Sequence, residues 1–262
     1  MAALLDEVIL PAGAGLGFVD AATGQPIQYG LQCTLVRRRD GAQIAHARTT
    51  PSGVHHWPEL DARWRAPDGS LPAQADVRVH DEEGRFLPLT LAWPLPSAVV
   101  AALPGPARLA RVSLLSAPQR PAPPGLASVF ARLVWQATGA PAAWARVTLT
   151  TALGQVTQGS SDDQGVLTVH LPLPRPQRDA LTGATFANVE FKLFFDPALA
   201  LAASRLGAPD ALAWAAQTEV RALARADQAT ARDSLRLELG RAAVPITKGL
   251  VPRRSELRLV AR

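Results

Sequence analysis

Apolar and polar residues alternate over most of this chain with the period of two that half-buried strands require. The clearest run covers residues 75–91. Val77 and Val79 fall on one face there, Arg78 and His80 on the other, and Asp81-Glu82-Glu83-Gly84 turns the chain. Leu87, Leu89, Leu91 and Trp93 then share a face and form a predicted core stripe. Residues 30–37 alternate likewise, with Leu31, Cys33 and Leu35 on one side; Arg39-Asp40-Gly41 is a hairpin signal leading to a return strand over 44–48. Thr50-Pro51-Ser52-Gly53 makes another turn before a short strand at 54–57. Val8-Ile9-Leu10 is a short apolar run, Pro94-Leu95-Pro96 ends a strand, and residues 108–115 supply one more.

The pattern then repeats. Ala22-Thr23-Gly24-Gln25-Pro26 has a counterpart in Ala137-Thr138-Gly139-Ala140-Pro141, each followed by an alternating run and a polar turn with glycine. Between the two halves stands a segment with Pro118, Pro121, Pro123, Pro124 and Gly125. Proline fixes φ and favours extended backbone, so this segment is expected to act as a stiff joint that keeps the modules at a defined spacing, with cleavage at Arg120 into two stable halves as the sign of modularity. The expected organisation is an N-terminal β-sandwich module over 1–117, a Pro-rich linker over 118–125 and a C-terminal β-sandwich module over 126–262. In the second half, strands are predicted over 128–135, 147–151, 166–169, 187–195, 234–239 and 256–260. Asp196-Pro197 stops the fourth of these, a helix capped by Asp210 is predicted within 209–217, and 218–225 is an alternative strand. The fold class is all-β, two tandem modules with little helix.

Composition narrows this picture. At 262 residues, 48% apolar and a mean hydropathy of +0.07, the chain is long enough for a core without staples. No apolar run is long enough to span a membrane. The start, Met1-Ala2-Ala3-Leu4-Leu5-Asp6-Glu7, carries acids where a signal peptide is apolar, so cytoplasmic synthesis is expected. Cys33 is the single cysteine and reads as a packed core thiol. The net charge is +5, and all basic residues but Lys192 and Lys248 are arginine. These are scattered, and Arg37-Arg38-Arg39 and Arg253-Arg254 have acids nearby, so no nucleic acid is expected as a partner.

Candidate chemistry is thin. His56 and Glu59 have the spacing of a zinc pair, but none of His46, His55, His80 and His170 supplies a paired third ligand. His55 and His56 are adjacent and point to opposite faces of a strand. Asp81, Glu82 and Glu83 read as a solvated hairpin tip rather than an acid/base pair. Asp162-Asp163-Gln164-Gly165 lacks the regular oxygen ligands and closing Glu of a calcium loop and reads as a turn. Nucleophile elbows and phosphate loops are absent from the sequence. The expectation is therefore no enzyme, no catalytic, cofactor-binding or metal residues, and no cofactor. Trp135 and Trp144 are expected in the core, and Trp57 and Trp64, in a proline-flanked stretch, are the better candidates for an exposed contact.

Two resemblances add to this. Gly139-Ala140-Pro141-Ala142-Ala143-Trp144-Ala145-Arg146-Val147-Thr148-Leu149, with Ser161-Asp162-Asp163-Gln164-Gly165-Val166-Leu167-Thr168-Val169, resembles the carboxypeptidase regulatory-like fold, a small transthyretin-like or Ig-like sandwich, over 128–171. Gly84-Arg85-Phe86-Leu87-Pro88-Leu89, Pro94-Leu95-Pro96, residues 115–125, Pro141-Ala142-Ala143-Trp144-Ala145 and the closing runs at 234–241 and 255–260 resemble accessory proteins of contractile injection systems, which are phage-tail-like particles. That likeness implies a structural or adaptor part working by protein–protein contact. Its partners would be sheath, tube or baseplate proteins, in multiple copies, within a particle that is released. An adhesin-like or carbohydrate-binding module is the alternative; the lack of disulfides and of loop-clustered aromatics weighs against it.

Overall fold

The computed structural model describes residues 15–38, 40–57, 75–93, 109–173, 176–250, 252 and 254–262. Val8-Ile9-Leu10, Arg39, Glu59, Trp64, Pro94-Leu95-Pro96 and Arg253 lie outside the described residues. Within them the protein is all-β, two tandem sandwiches with two short helices.

In the first sandwich one sheet runs in the order Gln43–His46, Leu31–Arg37, Ala75–Asp81, Leu89–Trp93. The other is built on Gly15–Asp20, flanked by Pro26–Ile27, Val54–His56 and Leu109–Leu114. The return strand expected over 44–48 is split between them. Gln43–His46 pairs with Leu31–Arg37; the Ala47 N–H donates to the Cys33 carbonyl at 2.8 Å; Arg48–Thr49 then pairs with Val54–His56 in the opposite sheet. Leu16, Phe18, Cys33, Leu35, Val77, Val79, Leu91 and Leu114 are buried together between the sheets. Burial pushes the Cys33 thiol up to about 12, which keeps it an inert hydrophobe.

The second sandwich repeats the plan. Val156–Ser160, Arg146–Thr151, Thr185–Phe194 and Ser234–Glu238 follow one another as the first sheet does. Ala127–Trp135 lies between Val166–Leu171 and Leu257–Ala261. Glu219–Arg225 pairs with both Thr185–Phe194 and Leu257–Ala261, so the two faces are continuous along one side. Val129, Leu133, Val147, Leu149, Leu167, Leu171, Leu237 and Leu257 fill the space between.

The repeat extends to single hydrogen bonds. In the first turn the Asp20 N–H donates to Gln25 and Gly24 donates to Asp20; in the second, Trp135 donates to Ala140 and Gly139 to Trp135. Thr23 and Thr138 each accept, on Oγ1, the N–H two residues on. Each opening strand runs parallel to the last strand of its module, and the bond from Ala21 to Leu114 is repeated from Gln136 to Leu259. The two glycines stand at φ 70° in both turns, the left-handed conformation that only glycine adopts without strain.

Several sequence expectations need correction. Leu87 precedes the strand Leu89–Trp93 and leaves the first core for a separate cluster at the junction. Leu89 is only half-buried, so Leu91 carries more of that face. Trp57 is buried in the first core, not exposed. Trp135 is half-buried against Phe195 with ring centroids 5.2 Å apart.

The Ala-rich stretch after Asp196 holds an unforeseen helix, Pro197–Leu206. Asp196 caps it by accepting the Ala198 N–H, proline occupies its first turn, and Gly207 ends it at φ 76°. Ala211–Ala215 is the helix expected after Asp210, whose carboxylate accepts the Leu212 and Ala213 N–H groups. Glu219–Arg225 is a strand.

Candidate functional site

The segment between the sandwiches is fastened at several points. Leu87 N–H donates to Leu115 and Ala117 N–H to Arg85, so the joint begins as an added edge against the first module. Thr168 Oγ1 donates to the Pro118 carbonyl at 3.2 Å from the second. Arg120 makes two parallel hydrogen bonds to Asp20, at 2.8 and 2.6 Å, and donates to Ser116 Oγ at 3.0 Å. Its guanidinium also lies 4.7 Å from the centre of the Phe86 ring. With 11% of its side chain exposed, Arg120 is folded into the edge of the first module.

Asp20 is 7% exposed at its side chain. Burial would raise its carboxyl, but hydrogen bonds from Arg120, Thr23 and the Ala22 N–H outweigh this and hold it below the ordinary carboxylate range. A paired, bidentate geometry of this kind satisfies a carboxylate that would otherwise be costly to bury. Nearby, Ser128 Oγ lies 2.9 Å from His170 Nδ1. Burial, then the charge of Arg120, lowers the His170 pKa and favours the neutral ring. A serine and a histidine in contact do not make a nucleophile here: His170 is 2% exposed.

Asp81 differs from the solvated tip expected of it. It is buried, and it accepts from the Arg85 side chain and from the Arg85 and Phe86 N–H groups. Burial alone would raise its pKa; these bonds lower it. Arg85 also donates to the Tyr29 carbonyl at 2.8 Å. Asp81, Arg85, Phe86, Arg120 and Asp20 thus form one chain of contacts from the hairpin turn to the joint.

Above this polar floor lies a small apolar cluster of Leu87, Ala117, Ala143, Trp144 and Ala203, drawn from the first module, the joint, the second module and the longer helix. Trp144 has φ 60°, the one positive φ outside glycine among the described residues. For an L residue that conformation costs about 1–2 kcal/mol. Buried neighbours hold it in place. Gln217 Nε2 donates to the Trp144 carbonyl while its Oε1 accepts the Arg146 N–H, and Ser161 bridges Ala142 and Ala145. On the other side the Thr90 N–H donates to the Pro209 carbonyl at 3.1 Å, which joins the edge strand of the first module to the start of the short helix.

These contacts leave an apolar groove of about 170 Å³ at the junction. Leu87, Leu89, Leu91 and Leu114 line it from the first module, Trp144 and Trp214 from the second. A second cleft of about 350 Å³ lies beside Ser234–Glu238. Its central Arg236 is already paired with Asp179 and Glu238.

The sequence candidates do not converge. His55 is buried beside Phe18, with Nδ1 3.1 Å from Thr49 Oγ1. His56 is half-buried on the opposite side. Asp162 closes its turn by accepting the Gln164 and Val166 N–H groups. No group of three or more His, Cys, Asp or Glu among the described residues is placed to hold a metal. No helix among them is long and apolar enough to cross a membrane. The residues that do come together, Asp20, Arg120, Trp144, Thr168 and Trp214, were not singled out as one site by sequence.

No family model matches the chain, and no characterised protein matches it in sequence. Among solved structures, the shaft pilin SpaA of Lactobacillus rhamnosus GG is 8% identical, over 95% of this chain and 97% of that one, with a TM-score of 0.25. A streptococcal ancillary pilin is 11% identical over 95% of this chain and 62% of that one, with a TM-score of 0.23. Scores this low do not establish a shared fold, and the architecture rests on the strand pairing itself.

Proposed function

We propose that this chain is a non-enzymatic structural or adaptor subunit, held by protein–protein contacts in a multi-copy assembly of the phage-tail-like contractile type. The observation that carries this reading is the fastened junction. The joint is held to the first sandwich by a bidentate buried ion pair and to the second by the Thr168 side chain, and a shared apolar cluster and the Thr90–Pro209 backbone bond link the sandwiches, so they present their surfaces at a fixed spacing. A preordered surface loses less entropy when it binds, which suits a subunit that must repeat one geometry many times. Sheath, tube or baseplate proteins are the partners in this reading, and the sequence resemblance supplies the particle.

The test is mass spectrometry of the isolated particle before and after a wash at about 1 M salt, where the Debye length is about 3 Å. The chain should be present and stay bound, because buried surface rather than exposed charge holds it. Absence from the particle overturns the reading. Loss only in salt makes the chain a peripheral, charge-held factor, and direct binding of a glycan by the free protein favours the carbohydrate-binding alternative.

A further inference from the structure

The junction groove is apolar, but a cation without a carboxylate partner stands behind its lining residues Ser160 and Trp214. Arg146 is half-buried, and no carboxylate pairs with it among the described residues. Its guanidinium lies 3.7 Å from the centre of the Phe194 ring and 5.9 Å from that of Trp214. Its Nε is buried without a hydrogen-bond partner, as is the Nε1 of Trp144 in the groove wall. Most other partly buried arginines here do have a carboxylate: Arg85 has Asp81, Arg120 has Asp20, Arg258 has Glu256. A partly desolvated cation with no carboxylate beside it gains from an anion brought alongside.

Arg146 is connected to the groove through two of its lining residues. It stands opposite Ser160 in the strand pair, and Ser160 Oγ accepts the Trp214 Nε1 proton at 3.1 Å. Both Ser160 and Trp214 line the groove. A void of about 170 Å³ takes one large aliphatic or aromatic side chain. Beyond the Trp214 side of that void, the Arg146 guanidinium stacks on the Phe194 ring, and a stacked planar guanidinium can still offer its edge to a carboxylate.

We infer that the junction groove is a docking site for an extended segment of a partner protein in which a bulky apolar residue adjoins an aspartate or glutamate, the apolar side chain filling the groove and the carboxylate pairing with Arg146. This rests on the proposed structural role, since it names the kind of segment by which a neighbouring subunit would hold the chain. Carboxylate recognition supplies selectivity and the apolar void supplies most of the affinity.

The test uses the full chain, ¹⁵N-labelled, with the tryptophan indole N–H signals as readout. The probes are capped peptides Ac-Leu-Glu-Leu-NH₂, Ac-Leu-Gln-Leu-NH₂ and Ac-Ser-Glu-Ser-NH₂, with N-acetyl-leucine and octanoate as single-carboxylate controls. The Leu-Glu peptide should shift the Trp214 and Trp144 signals and bind at least fivefold more tightly than the Gln peptide. Arg146→Gln should remove that difference while leaving the Leu peptides' residual binding. Ala215→Trp, at the groove wall, should abolish binding of both, and the residual Leu-peptide binding kept by Arg146→Gln guards against a folding defect in that variant. Equal binding of Glu and Gln peptides, or Leu-Glu binding undiminished by both variants, overturns the proposal. So does a clear preference for octanoate, which would make the groove a fatty-acid site. Failure of every peptide alongside retention of the chain in salt-washed particles would refute the groove and leave the structural role standing.

Discussion

Asp20 and Trp135 occupy the same place in the two modules. Each ends the opening strand, donates its N–H across a Thr-Gly turn, accepts from the glycine and sits beside the last strand of its sandwich. The side chains are used differently. Asp20 reaches the joint and pairs with Arg120, whereas Trp135 packs on Phe195 of its own module. The backbone frame is therefore set by turn and ladder geometry, and one side chain at a shared position determines whether that corner faces its own module or the joint. A second difference reinforces this. The second module carries an insertion with two helices, and its Pro209 caps the edge strand of the first. The first module has no corresponding roof among the described residues, so the covering of the junction comes from one side.

The largest effect should follow from breaking the ion pair. Arg120→Met leaves Asp20 buried and unpaired and should destabilise the protein by about 3–5 kcal/mol in denaturant titration. Adding Asp20→Asn should recover much of the loss, because no charge is then stranded. If Arg120→Met costs no more than an exposed pair, the junction is not held as described.

Much of the frame behind this comparison is legible in the sequence. Asp40-Gly41, Ser52-Gly53, Thr138-Gly139 and Gln164-Gly165 mark turns because only certain residues tolerate their backbone angles, and that information is local. The alternations at 31–35, 77–79 and 147–151 reveal the faces that are buried. What the sequence hides is long-range. Asp20 and Arg120 are far apart in the chain, and neither has a neighbour that announces the pair. Asp81 reads as a surface acid until Arg85 is seen folded back over it. The helix Pro197–Leu206 touches the junction through Ala200 and Ala203, and alanine gives almost no hydrophobic period to detect. Its capping signals, Asp196-Pro197 and Gly207, were present in the sequence but equally compatible with a strand ending in a turn.

Acid provides an intermediate test. His170 is held neutral in the fold by burial and by Arg120, so its pKa is lower folded than unfolded. The unfolded chain then binds the proton first, and stability present above about pH 6.5 should decline as pH falls below it. His55, lowered by burial and by His56, adds to this decline. Asp20 and Asp81, also depressed, should lose their contribution only in the more acidic range below about pH 4. In melting temperature against pH, His170→Asn should flatten the first decline without abolishing it and leave the second intact. An unchanged first decline would remove His170 from the junction account.

The smallest effect discriminates between the two turns themselves. Thr23 Oγ1 both accepts the Gln25 N–H and donates to Asp20 at 2.7 Å, while Thr138 makes only the first of these bonds. Thr23→Ala should cost about 1 kcal/mol and Thr138→Ala less than about half of that. Equal losses would mean that the Asp20 corner gains nothing from its extra bond.

The fixed relation between the modules is measured most directly by the distance between two spin labels across the junction. Ser52→Cys and Leu153→Cys place labels on exposed loops of the first and second modules, and the buried Cys33 remains unlabelled. Double electron–electron resonance should give a single narrow distance distribution, which Arg120→Met broadens. A broad distribution in the otherwise unaltered protein would show the modules moving independently, and the fastened junction on which the proposed role depends would be contradicted.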